Sequence, residues 1–238
     1  MRRYVLRIAA VSVVTWAVAT PATAQTERDF QVWNALLATA DLPGPSSATP
    51  SLWLDVHARR GDAGTVHILR PGVGVRLAPF LSLWAGYGWV PVFTDGGPTA
   101  HEHRAWQQVI LQHRTDDRLA MQSRTRFEQR FHDGGDDVGL RVRQFVRMGW
   151  QPSADIPVGV VGWDELFLGL HDTDWGALGG FDQNRLFLGA FMPITTGVRV
   201  EVGYLNVYVR RTGADLLAHN LAINLFVNLK PGPVEEEK

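Results

Sequence analysis

Arginine falls repeatedly on one set of alternate positions through the middle of this 238-residue chain. Over residues 118–131, one set of alternate positions carries four arginines with alanine, glutamine and Glu128, and the other carries mostly apolar residues. The next run repeats the pattern, with Arg141, Arg143 and Arg147 between apolar neighbours. A guanidinium group is a flat fork of donors that fits carboxylate or phosphate, so these residues indicate ion pairing or anion recognition.

We therefore take the charged face of these segments as the candidate site. If it lines a lumen, Arg–Glu–Gln ladders could fill and stiffen a narrow barrel, or the surplus arginine could attract an anionic solute. We favour the filled lumen, because side chains commonly fill small barrels. The predicted lumen charge network is Glu102, Arg104, Arg124, Arg126, Glu128, Arg130, Arg141, Arg143, Arg147, Glu165, Arg185, Arg199 and Glu201, with Arg118 placed on the same face.

The histidines offer weaker candidates for chemistry. His101 and His103 share one strand face, a spacing found in metal sites, but a third ligand would have to come from elsewhere. His132 and His171 fall in loops, where a rim hydrolase could place acid–base groups. The sequence has no nucleophile elbow, phosphate loop or dinucleotide fingerprint. We predict no catalytic residue, no metal and no cofactor, and hence no enzyme.

The elements that must position these residues are strands. A strand separates the two alternate sets cleanly, whereas a helix would scatter them around its axis. Runs of about ten to fourteen residues exceed ordinary soluble strands and match a tilted membrane-spanning strand. The eleven segments lie near 28–39, 50–60, 65–77, 81–93, 102–114, 117–131, 138–150, 157–170, 181–192, 197–210 and 217–229.

Alternation alone does not say which face meets water, so a soluble sandwich competes with a membrane barrel. Aromatic residues favour the barrel, because they gather near the ends of apolar faces as interfacial girdles do. We predict an all-β, antiparallel up-and-down transmembrane β-barrel of 10–12 strands. The girdle residues are Tyr87, Trp89, Phe127, Phe131, Trp150, Tyr204 and Tyr208.

The strand count is open between ten and twelve, since single-chain bacterial barrels usually have an even number. Ten strands from residue 50 onward, with the short turns in the periplasm, would put both termini there. Residues 28–39 would then form a plug, a periplasmic strand or half of an unread hairpin.

Residues 1–24 have the three parts of an export signal, with early arginines, an apolar stretch and the small-residue sequence Ala22-Thr23-Ala24. We predict a signal peptide at 1–24, the barrel at 25–229 and a polar tail at 230–238. The chain has no cysteine, which excludes a disulfide scaffold, and its formal charge of −1 gives no basic excess for nucleic acid.

Several short motifs, in order along the chain, resemble a known family. They are Arg70 to Gly74, Gly86 to Gly88, His101 to Gln108, Arg124 to Arg130, Asp164 to Phe167, Gln183 to Arg185 and Glu201 to Leu205. Together they resemble the family of domain of unknown function 2490. The resemblance implies a bacterial outer-membrane β-barrel and supplies no activity. The chain departs from such barrels in ending on a tail, so the expected assembly signal is internal at Phe226.

We therefore expect an outer-membrane protein that is a narrow channel or a structural envelope protein. The expected partners are outer-membrane lipid, the barrel-assembly machinery and a small anionic solute, without nucleic acid. An outer-membrane hydrolase with a rim active site and a soluble periplasmic ligand-binding β-protein are the alternatives.

Overall fold

The computed structural model describes residues 26–45, 48–62, 64–115, 118–153 and 155–230. These residues form one closed all-β barrel of eleven strands, which confirms the predicted fold class at this level. None of them belongs to a helix long and apolar enough to cross a membrane. The strands are β1 (Thr26–Asp41), β2 (Thr49–Gly61), β3 (Gly64–Ala78), β4 (Leu81–Thr94), β5 (Thr99–Thr115), β6 (Leu119–His132), β7 (Val138–Trp150), β8 (Gly159–Gly169), β9 (Gly180–Thr195), β10 (Val198–Val209) and β11 (Asp215–Leu229).

The barrel closes through a parallel pair. Strands that are neighbours in sequence pair antiparallel, but β1 pairs parallel with β11, with Phe30 opposite His219 and Leu37 opposite Phe226. The expected even strand count is therefore wrong, and residues 28–39 belong to a strand that closes the wall instead of a plug, a periplasmic strand or half of an unread hairpin. An odd number of alternating strands leaves the first and last pointing the same way, so only a parallel ladder can close the sheet.

Because the strand count is odd, the first strand begins at one end of the barrel and the last strand finishes at the other. Thr26 lies at the end with connections 62–63, 95–98, 133–137, 170–179 and 210–214, which we call the loop end. Leu229 lies at the opposite end, called the turn end, with connections 42–48, 79–80, 116–118, 151–158 and 196–197. Within the described residues, the wall begins and finishes at opposite ends of the barrel, so the expectation that both lie at one end is wrong. The predicted contrast in connection length has exceptions, because 151–158 spans eight residues and 62–63 spans two.

The predicted signal peptide at 1–24 and the tail from residue 231 lie outside the described residues. Within the described chain, the strands run from Thr26 to Leu229.

Side chains alternate between the lumen and the outer surface along each strand, as the pleat requires. Two apolar clusters occupy the lumen beside its charged residues. One is built on Trp33, Phe187 and Leu205, and the other on Trp53, Trp84, Trp106 and Ile110. Glycines have no side chain and therefore leave space for the tryptophan rings in the lumen.

The outer surface is mainly apolar, with exposed side chains such as Leu52, Val73 and Leu188. The predicted girdle residues Tyr87, Trp89, Phe131, Trp150 and Tyr204 are exposed.

Candidate functional site

The charged residues predicted to share a face do lie together inside the barrel. All members of the predicted lumen charge network are buried or half-buried, and they pair with one another across and along strands β5 to β10. Arg118 is the exception, since it is exposed in the connection before β6, which begins at Leu119. The alternation of residue types continues beyond the strand end, so the pattern placed Arg118 wrongly.

The half of the lumen nearer the loop end is closed by six charged side chains that we call the sealed layer. Its members are Glu102, Arg104, Arg126, Glu128, Arg130 and Arg141. Within it, Glu102 binds two guanidinium groups. Its Oε1 accepts from Arg104 Nε at 2.8 Å and from Arg130 Nε at 2.5 Å, and its Oε2 accepts a second bond from each.

Glu128 is the centre of the sealed layer. Its Oε2 accepts from Arg141 Nη2 at 2.6 Å, and its Oε1 accepts from Arg143 Nη1 at 2.7 Å. Arg126 Nη1 lies 3.9 Å away, while Arg126 itself bonds to the Gln108 side chain. Arg126 and Glu128 have 0% of their surface exposed. The carboxylate is thus neutralised within a dry layer, where charge-assisted hydrogen bonds are strong.

Strand register explains why so much arginine fits. Arg104 lies directly opposite Arg130, and Arg126 lies directly opposite Arg143. Like charges directly opposite each other destabilise a sheet. Here Glu102 bonds to both arginines of the first pair, and Glu128 contacts both arginines of the second. Each glutamate is therefore required to hold a repulsive pair in place.

Below the sealed layer, the lumen contains a cavity of about 600 Å³ that reaches the turn end. Two carboxylates in its wall bind arginine. Glu165 accepts from Arg124 Nη2 at 2.6 Å and from Arg143 Nη2 at 2.7 Å. Glu201 lies 2.5 Å from Arg147 Nη2 and 3.1 Å from Arg199 Nε. None of the sealed-layer residues lines this cavity.

A second charged group lies on β2 and β3 and was not predicted from the sequence. Asp55 is buried, forms an ion pair with Arg70 and contacts the His57 imidazole, while Arg59 lies farther along the same face of β2. Ser51, Trp53, Asp55, His57 and Arg59 alternate with Leu52, Leu54, Val56 and Ala58. This period-two pattern was a readable signal for β2, whereas the Pro-Gly-Val-Gly run after Arg70 hides the alternation in β3.

The loop histidines hold the loop end together. His132 stacks on Trp175 with ring centroids 5.2 Å apart, and its Nδ1 accepts from the Gly134 backbone at 2.9 Å. His171 Nε2 lies 3.0 Å from the Val138 carbonyl oxygen. Within the described ranges, neither ring is hydrogen-bonded to a serine or threonine hydroxyl that could serve as a nucleophile.

His101 and His103 face outward on β5, each beside an aromatic residue. Trp89 Nε1 donates to His101 Nδ1 at 3.3 Å, and His103 Nδ1 bonds to the Tyr87 hydroxyl. Across the part of the chain that the structure describes, no group of three or more His, Asp or Glu side chains could hold a metal ion.

Comparison with known proteins gives a family without an assigned activity. The chain is 40% identical to an uncharacterized protein of Methylorubrum extorquens over 162 residues, which is 67% of this chain and 71% of that protein. A family model described as "Protein of unknown function (DUF2490)" matches residues 30–218, from β1 into β11. The predicted resemblance is confirmed, and the chain belongs to the DUF2490 family.

Proposed function

We propose that this protein is an integral β-barrel of the bacterial outer membrane with a closed lumen, serving as a structural envelope protein and not as an open channel. The sealed layer carries this proposal. An open pore would leave its lining in contact with water, whereas Arg126 and Glu128 have no exposed surface and Arg141 has 5%. Side chains that fill a small barrel stiffen it and leave no aqueous path.

The outer surface supports the membrane location. Apolar side chains such as Val73, Val146 and Leu188 are half exposed or more and form part of a surface that is apolar over most strands. Soluble monomers rarely expose apolar patches of more than a few hundred Å², while barrels in lipid require an apolar band. The exposed aromatic residues near strand ends fit the two interfaces of such a band.

Polar side chains on the outer faces of β5 to β9 form pairs that reduce the cost of contact with lipid. Gln129 donates to Gln107 at 3.2 Å, and Asn184 donates to Asp164 at 2.9 Å. Thr125 donates to Gln144 at 2.6 Å. Hydrogen-bonded polar groups cost much less to bury in an apolar medium than unpaired ones.

The proposal includes export through the predicted signal at 1–24, insertion by the barrel-assembly machinery, and outer-membrane lipid as the main partner. It is tested by fractionating cells and recording from the purified protein in a planar bilayer. We expect the protein in the outer-membrane fraction, resistant to carbonate extraction, with no conductance. Steady ion conductance would support a narrow channel instead of a structural role. Recovery in the soluble periplasm would contradict the membrane location.

A substitution pair tests the outer face directly. Val146 is 51% exposed on the outer face of β7, whereas Thr115 is exposed at the last position of β5, on the rim. Arginine facing lipid near the midplane costs about 2–4 kcal/mol, against about 0–1 kcal/mol near an interface. Val146→Arg should therefore impair folding into lipid vesicles far more than Thr115→Arg. A soluble protein would tolerate both equally.

A further inference from the structure

The cavity at the turn end has the dimensions of a ligand site. Its volume of about 600 Å³ falls within the range of small-molecule pockets. Asp41, Gln112 and Lys230 line its mouth, and Trp33, Arg59 and Arg185 line its deep end. The sealed layer lies on the loop-end side of the cavity, and none of its residues lines the cavity wall.

The charge of the cavity wall is unbalanced. Among the described residues that line it are nine arginines and one lysine, against the four acids Asp41, Asp55, Glu165 and Glu201. Those acids are already bound to arginine within the wall. The wall therefore carries an excess positive charge in a confined space, which attracts anions.

Two guanidinium groups lie near the Trp33 ring at the deep end, and neither has a carboxylate of its own. Arg59 lies over the Trp33 ring at 3.8 Å from its centroid, and Arg185 lies 5.0 Å from the same ring. Arg185 Nη1 lies 3.7 Å from Glu165 Oε2, a carboxylate that Arg124 and Arg143 already bind. Among the described residues, Arg59 forms no ion pair, and its buried Nε has no hydrogen-bond partner.

Aromatic side chains form another part of the wall. Trp53, Trp84, Trp163 and Phe145 line the same cavity as the two arginines. Aromatic faces contribute large contact areas and pack against flat apolar groups. We propose that the cavity binds a small aromatic carboxylic acid, with its carboxylate held by Arg59 and Arg185 and its ring packed against the indoles.

Three probes test the chemistry of this site on the purified full chain in detergent. Calorimetric titration with 2-naphthoate should give saturable binding. The neutral 2-naphthamide lacks the charge, and inorganic phosphate lacks the ring, so each should bind at least about tenfold more weakly. Equal binding of the amide, or no saturable binding of naphthoate, would overturn the proposal.

Variants locate the site. Arg59→Gln should weaken naphthoate binding at least about tenfold, because the amide cannot form the charged fork. The variant should still fold, since it removes one of two neighbouring like charges. If it does not fold, Arg185→Gln gives the same test. Arg60→Gln is the matched control, because Arg60 is exposed and paired with Asp95 at 2.7 Å. Unchanged affinity in both lumen variants would place the ligand elsewhere.

The carboxylate could instead come from the chain itself, since Glu235, Glu236 and Glu237 follow Lys230 in the sequence. Replacing all three by glutamine should leave naphthoate affinity unchanged if the natural occupant is a free acid. Binding that appears only after this replacement would show that the chain's own glutamates compete for the arginines, and it would overturn the proposal of a free ligand.

Discussion

In the sealed layer and in the cavity, the same lumen holds arginine in two different ways. Glu102 and Glu128 each contact two or more arginines, and their side chains are only 8% and 0% exposed. In the cavity, Arg59 forms no ion pair with any described residue, and Arg185 reaches only a carboxylate that already binds two other arginines. The difference teaches that residue type alone does not separate a structural charge network from an anion site. The decisive feature is whether strand register brings a carboxylate to each repulsive pair.

The largest expected effect is in the sealed layer. Glu128→Gln should lower the free energy of unfolding by about 3–5 kcal/mol, because it leaves Arg126, Arg141 and Arg143 without their shared carboxylate in a dry space. Urea unfolding in detergent micelles measures this, with Glu27→Gln as a control. Glu27 is 63% exposed in its pair with Arg211, so that variant should change little.

A small effect of Glu128→Gln would mean that water reaches the layer and screens its charges. The appearance of anion conductance in the same variant would support a channel and remove the distinction between the two halves of the lumen.

Close packing around the buried Trp106 ring gives a smaller expected loss of stability, and a neighbouring glycine serves as the control. A Cβ on Gly86 would lie 2.3 Å from the Pro71 carbonyl oxygen and 2.5 Å from the Trp106 ring, whereas one on Gly88 would meet nothing nearer than 3.6 Å. Gly86→Ala should therefore cost about 1–3 kcal/mol through overpacking. Gly88→Ala should change stability by about 0.5 kcal/mol or less. Equal effects in the same unfolding assay would contradict the close packing of Trp106.

Much of this barrel was predictable from the alternation of residue types along the strands. The features that were not predictable depend on which strand or side chain each one pairs with. The period-two pattern located every strand and put Glu128 and Arg143 on one face. Closure could not be predicted, because a strand has the same alternation whether its partner is parallel or antiparallel. Arg59 was missed although β2 alternates clearly, and its lack of a carboxylate could not be read without the register.

At the cavity mouth, replacing a carboxylate by its amide should lower the free energy of unfolding less than it does in the sealed layer. Asp41 bonds to Arg76 Nη2 at 2.8 Å, and the Arg76 side chain is 36% exposed. Water screens such a pair, so Asp41→Asn should cost about 1 kcal/mol or less. Comparison of its unfolding midpoint with that of Glu128→Gln measures the contrast between wet and dry arginine pairs. A loss as large as that of Glu128→Gln would extend the dry region to the turn end.

The smallest effect is expected above the sealed layer, where two loops are joined at the loop end. Asp174 accepts hydrogen bonds from the backbone of Asp136 at 2.8 Å and of Asp137 at 3.2 Å. These backbone donors, Asp136 first, hold the pKa of Asp174 below its usual value of 3.8. The stabilisation is therefore present above pH 3.8 and is lost as the pH falls through the lower folded-state value.

Hydrogen exchange of the Asp136 and Asp137 amides tests this junction. Exchange, corrected for its intrinsic pH dependence, should rise on acidification while the sealed layer stays protected. Asp174→Asn should raise it already at neutral pH. Asp136→Asn is the control, since Asp136 contributes its backbone amide to the junction. If acid loosened the sealed layer and the junction together, the loop end and the ion pairs below it would form one cooperative unit. The sealed layer would then extend up to the loops at the loop end, beyond the ion pairs that define it.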